Sequence, residues 1–125
     1  MGFLIVFVGG GIGAALRHGV NLASARLFGT AFPWHTAIEN VSGSFAMGIL
    51  AAYFAFRADP SSQSWRLFLT TGILGGYTTF SSFSLDFALL YERGEMLQAV
   101  LYVLGSVLLG ILGLFAGLAL VRHFT

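Results

Sequence analysis

The run Gly72-Ile-Leu-Gly-Gly-Tyr-Thr-Thr-Phe-Ser-Ser-Phe-Ser-Leu-Asp86 carries three glycines and five Ser or Thr hydroxyls in an otherwise apolar stretch. Phe80 and Phe83 stand at i and i+3, and Ser81 and Ser84 repeat that spacing on a neighbouring helix face. Hydroxyls donate hydrogen bonds and the rim of an aromatic ring carries partial positive charge, so this set could replace part of the water shell of a small anion. Aromatic pairs at helical spacing also pack cores, and spacing alone leaves both readings open. Asn40, on a face with Thr36 and Gly43, either donates two hydrogen bonds to an anion or ties helices together. Arg17, Asn21 and Ser24 share a face of another stretch, where the arginine either turns toward protein and water or snorkels to the nearer interface. Gln98, Tyr102 and Ser106 recur every four residues as a polar stripe that either continues a path or forms a seam between helices.

Glu39 is one residue from Asn40, about 100° around a helix, and so cannot line the same narrow path unless the helix is distorted. It is expected to be structural, reaching back to the interface with His35 one turn before it as a partner. No nucleophile paired with a base, no metal-ligand spacing and no phosphate loop is present, so no enzyme is expected.

These residues need elements that can hold them in an apolar surround. Only 9% of the 125 residues are charged and 57% are hydrophobic, a balance that removes water as the solvent. Six arginines without a lysine give a net charge of +1, which excludes a nucleic-acid binder, and the absence of cysteine excludes disulfides and thiolate chemistry. A bilayer core of about 30 Å needs about 20 apolar helical residues. Four such windows fit, at residues 2–27, 33–56, 64–91 and 95–121, with Asp59-Pro60-Ser61-Ser62 as turn chemistry in the second connection. The expected fold is therefore all-α, a single four-helix transmembrane domain over residues 1–125 in a lipid bilayer. The first window lacks the basic start and cleavage site of a signal peptide and is kept as a span.

Gly75-Gly76 with Thr78-Thr79 behind them predict a break in the third helix at mid-membrane, where freed carbonyls commonly coordinate a cation. Gly9-x3-Gly13, Ser44-x3-Gly48, Gly72-x3-Gly76 and Gly113-x3-Gly117 give each window one small-residue step for close helix packing. Arg57, Arg66 and Arg122 on one side face Arg26 and Arg93 on the other, almost no bias, so the chain could insert both ways up and pair antiparallel. A single orientation set by folding or by a partner is the alternative.

At Gly75-Gly-Tyr-Thr-Thr-Phe-Ser-Ser-Phe-Ser-Leu-Asp86 the sequence resembles the Fluc (CrcB-type) fluoride channel family, whose signature reads close to GG-x-[ST]TFS[ST]FS-x-[DE]. Gly9-Gly-Gly-Ile-Gly-Ala-Ala-Leu-Arg17 is similar to that family's glycine-rich first helix, and Pro33 to Gly48 to its Thr-x3-Asn-x2-Gly-x4-Gly second helix. The resemblance implies a fluoride-selective channel in the bacterial inner membrane, passing fluoride passively and built as an antiparallel dual-topology homodimer. It further implies that Phe80, Phe83 and Asn40 line the pores, that Ser81, Ser84 and Tyr102 belong to the polar track, and that Arg17 sits in the vestibule. Gly75 and Thr78 correspond to the carbonyl donors to a structural sodium ion. Glu39, Asp86 and Gly110 depart from the family pattern, which commonly has an apolar residue, a glutamate and a serine there. The rival expectation is a proton-coupled small multidrug exporter, which would use Glu39 as a titratable carboxylate facing a substrate cavity.

Overall fold

The computed structural model describes residues 1–124. They form helices and no strand: α1 (Gly2–Phe28), α2 (Trp34–Phe54), α3 (Pro60–Arg66), a π-helix (Leu67–Leu74), α4 (Gly75–Tyr77), α5 (Phe80–Glu92) and α6 (Met96–His123). The 27 residues of α1 and 28 of α6 are long and apolar enough to cross a membrane. At 1.5 Å per residue each reaches about 40 Å.

The ends follow from local chemistry. Gly29, at φ 76°, turns the chain out of α1 while its amide still donates to the Ala25 carbonyl at 3.1 Å. Gly94, at φ 77°, does the same work between α5 and α6. The segment Asp59-Pro60-Ser61-Ser62, expected as a turn, instead starts α3. Asp59 is the N-cap, accepting from the Ser62 amide at 3.1 Å and the Ser62 hydroxyl at 2.8 Å, and Pro60 fills the first helical position, where no amide is needed.

Packing divides the chain into two close helix pairs. α1 lies along the π-helix and α4, and α2 lies along α6. The small-residue steps sit at both contacts. A Cβ on Gly9 would stand 2.8 Å from the Phe68 carbonyl and 2.9 Å from the Gly72 Cα; one on Gly13 would strike the Ile73 carbonyl, and one on Gly76 the Gly10 carbonyl. In the second pair, a Cβ on Gly48 would strike the Leu114 carbonyl and one on Gly117 the Phe45 carbonyl. Backbones therefore touch where side chains would ordinarily separate them. A small apolar core of Leu90, Ala99 and Tyr102, with Phe32, Phe83 and Phe87 packed on it, joins α5 to α6. Most other large apolar side chains, from Phe3 and Phe7 on α1 to Leu112 and Phe115 on α6, point outward. In a water-soluble chain such a surface would aggregate; in hydrocarbon it is the solvated face.

Candidate functional site

Within the expected break, Gly75-Gly76 with Thr78-Thr79 behind them, the helix gives way at the threonines and not at the glycines. Gly75 and Gly76 stay helical because Gly76 is held against α1, whereas Thr78 (φ −85°, ψ 157°) and Thr79 (φ −152°, ψ 121°) are extended. Two threonines favour this: β-branching suits extended backbone, and a threonine hydroxyl is a good N-cap. The Thr79 hydroxyl accepts from the Ser82 amide at 3.2 Å and starts α5, while the Thr78 hydroxyl donates back to the Leu74 carbonyl at 3.0 Å.

Asn40 of α2 holds the break. Its Oδ1 accepts from the Thr79 amide at 2.8 Å and its Nδ2 donates to the Thr79 carbonyl at 3.0 Å, so one side chain satisfies both polar groups of an extended residue. From the other side Arg17 Nε donates to the Gly76 carbonyl at 3.0 Å. Arg17 therefore turns inward to protein and does not snorkel.

These bonds redirect the helix ladder. The Thr79 amide would ordinarily pair with the Gly75 carbonyl, and the Ser82 amide with the Thr78 carbonyl; both amides are engaged by side chains instead. Gly75 and Thr78 thus each present a carbonyl whose usual helical partner is taken. Among the described residues no three His, Cys, Asp or Glu side chains come together as metal ligands.

Between α2, the break and α6 lies a groove of about 370 Å³, bordered by Asn40, Gly43, Ser44, Gly75, Thr78, Thr79, Phe80, Phe83 and Ser106. Five expected site residues meet there: Asn40, Gly75, Thr78, Phe80 and Phe83. The two rings lie 5.9 Å apart with planes inclined by 40°, and Phe80 is 78% exposed. The other four stand outside the groove. Ser81 and Ser84 are exposed on α5, with the Ser84 hydroxyl donating to the Phe80 carbonyl at 3.1 Å. Tyr102 is buried, its ring 5.1 Å from Phe83 and its hydroxyl donating to Asp86 Oδ2 at 3.0 Å. Arg17 touches the far side of the break, as above. Of the polar stripe on α6, Gln98 is exposed, and Ser106 borders the groove, its buried hydroxyl having no partner among the described residues.

Ser44, read from the sequence only as a helix-packing step, also borders the groove, whereas Ser106 and Thr79 come from the polar stripe and the hydroxyl-rich run that the sequence singles out. Ser44 is one turn from Asn40, so the i+4 rule that singled out Ser106 one turn from Tyr102 carries the signal for it as well.

Glu39 corrects an expectation. It does not reach the interface: it is 1% exposed, and Asn21 of α1, with its amide nitrogen turned toward its acceptors, donates to the carboxylate and to His35 Nδ1. His35 lies 3.0 Å from the Thr36 hydroxyl. Glu39 does not line this groove.

The family described as CrcB-like protein, Camphor Resistance (CrcB), matches residues 4–118. A protein of Nitrobacter hamburgensis named fluoride-specific ion channel FluC 2 is 64% identical over 125 residues, the whole of both chains. A fluoride-specific ion channel FluC of Rhodopseudomonas palustris strain BisB5 is 66% identical, again over the whole of both chains. One of Hyphomonas neptunium is 53% identical over 98% of this chain and 96% of that one.

Proposed function

The chain belongs to the CrcB-like family, and on that premise we propose that it is a fluoride-selective ion channel through which fluoride leaves the cell passively. The observation that carries this reading is the groove at the break, where an amide, hydroxyls and two aromatic rings come together in an apolar surround. Fluoride is small and tightly hydrated, so a path for it must offer donors in succession and hold the ion weakly enough to let it go. Asn40 spends one Nδ2 hydrogen on Thr79 and keeps another for the ion. The free Ser106 hydroxyl is a second donor, and the edges of Phe80 and Phe83 offer positive potential without a charge that would trap the anion. Ser81, Ser84 and Tyr102 extend the polar track along α5 and α6, and Arg17 draws anions to its mouth.

The working unit is an antiparallel homodimer. A lone chain leaves the Phe80 ring almost bare and the groove open on one side, and a second copy related by a two-fold axis covers both. Each copy crosses the bacterial inner membrane four times. The redirected carbonyls of Gly75 and Thr78 suit a structural sodium ion at the dimer centre. Such an ion adds fixed positive charge near the paths and holds the extended backbone in place.

The test is fluoride release from liposomes containing the purified protein, read with a fluoride electrode, with chloride release run in parallel. The expected result is rapid loss of fluoride with chloride retained. Retention of both by folded dimer would contradict the reading.

A further inference from the structure

The fluoride path leaves one buried charge unused. Glu39 is among the few side chains less than 2% exposed, and lies in a chain where a buried carboxylate must be compensated to be tolerated. The groups around it come from four helices. Asn21 of α1 donates to its carboxylate, and His35 on α2 shares that amide. Arg17 stands one turn before Asn21 on the same face of α1, and Asp86 of α5 is held by the Tyr102 hydroxyl of α6. Asp86 is of the same sign and is occupied by the Tyr102 hydroxyl, so Arg17 is the attractive partner.

Arg17 also touches the break. Its Nε donates to the carbonyl of Gly76, two residues before Thr78, and so it places a cation beside the backbone that borders the groove. A guanidinium there attracts the anion, and in a low-dielectric surround that attraction reaches well beyond contact. Too strong an attraction slows release, which is the opposite failure from too weak a one.

We infer that Glu39 is a rate-setting counter-charge: its carboxylate offsets part of the Arg17 charge felt in the groove, and so keeps fluoride weakly held. The inference rests on the fluoride path proposed above and adds to it a residue outside the groove. It predicts a specific asymmetry. Removing the charge should make the path bind fluoride more tightly, whereas removing a purely structural group would lower yield or maximal flux with no gain in affinity.

The measurement is the initial rate of fluoride release as a function of internal fluoride, in mildly alkaline buffer that suppresses leak of the neutral acid, with protein-free liposomes subtracted. Glu39→Gln keeps an oxygen acceptor for Asn21 and should lower the half-saturating fluoride concentration by roughly fivefold, with no rise in maximal flux. Glu39→Asp, which keeps the charge, should stay within about twofold of the unmodified chain. An unchanged or raised half-saturation in folded Glu39→Gln dimer overturns the inference while leaving the path intact. Glu39→Met removes the charge in another way, and failure of both neutral variants to give folded dimer assigns Glu39 to structure and likewise overturns it. Absence of flux from the unmodified chain overturns the path itself.

Discussion

The two ways this chain brings backbones together differ in kind. Along α1 against the π-helix and α4, and along α2 against α6, contact is made by removing side chains: Gly9, Gly13, Gly48, Gly76 and Gly117 lie where an added Cβ would strike backbone. At Thr78-Thr79 contact is made by adding them, with Asn40, Arg17 and the Thr79 hydroxyl each supplying a bond that the interrupted helix gives up. In hydrocarbon no hydrophobic drive separates helix contacts from lipid contacts, so close fit does the holding. Unpaired backbone is costly there, so polar side chains make the irregular segment possible. The first region holds the scaffold, and the second borders the groove proposed as the ion path.

The sharpest way to break the comparison is at the glycines. Gly13→Ala or Gly48→Ala pushes a methyl into a carbonyl and should destabilise by about 3 kcal/mol or more, seen as loss of the dimer peak on size exclusion in detergent. Gly11→Ala, where nothing lies within 4 Å, should instead leave flux unchanged and stabilise by about 0.5–1 kcal/mol in thermal unfolding. If both classes behave alike, the glycines are not acting by contact.

Asn40→Ala attacks the other region. It strands the amide and carbonyl of Thr79, at about 1–3 kcal/mol for each. Fluoride release should fall by roughly 100-fold, the equivalent of about 3 kcal/mol at the barrier. A smaller effect is expected from Phe83→Ile, which removes a ring edge from the groove without touching a backbone bond: flux lower by about tenfold, dimer unchanged. Unchanged flux in Phe83→Ile and in Phe80→Ile would take the rings out of the path.

The smallest effect lies outside both regions. The hydrogen bonds from Ser62 hold the Asp59 carboxyl below its usual range. A carboxyl held lower in the folded than in the unfolded state stabilises fully above its unfolded pKa, and that contribution fades as pH falls through the folded value. Asp59→Ala should therefore lower the Tm slightly at neutral pH, with the difference from the unmodified chain vanishing in acid.

What the sequence reveals and what it hides follow the same division. The glycine steps are legible because close approach leaves no alternative residue, and their spacing states which face is used. The break is legible as a segment but not to the residue: helix propensity points to Gly75-Gly76, yet Gly76 is occupied by packing against Gly10 and Ala14, and the break falls at the threonines behind them, where Thr79 can cap α5. The π-helix over Leu67–Leu74 left no mark, since its composition suits an α-helix equally well. Asp59-Pro60 read as a turn because the same residues open helices. Glu39 was misplaced for a tertiary reason, as its partner Asn21 comes from α1 and no periodicity on α2 contains it.

The central claim is that fluoride passes through the groove between α2, the break and α6, and the absence of cysteine permits a direct test. Ser106→Cys puts a thiol in the groove, and Leu108→Cys puts one on the outward face of the same helix, at a position that is 58% exposed. Silver ion, small and thiol-selective, is added during fluoride release from liposomes in chloride-free buffer. The account predicts rapid block of Ser106→Cys, with Leu108→Cys and the unmodified chain unaffected. Block of Leu108→Cys with Ser106→Cys insensitive would place the path elsewhere.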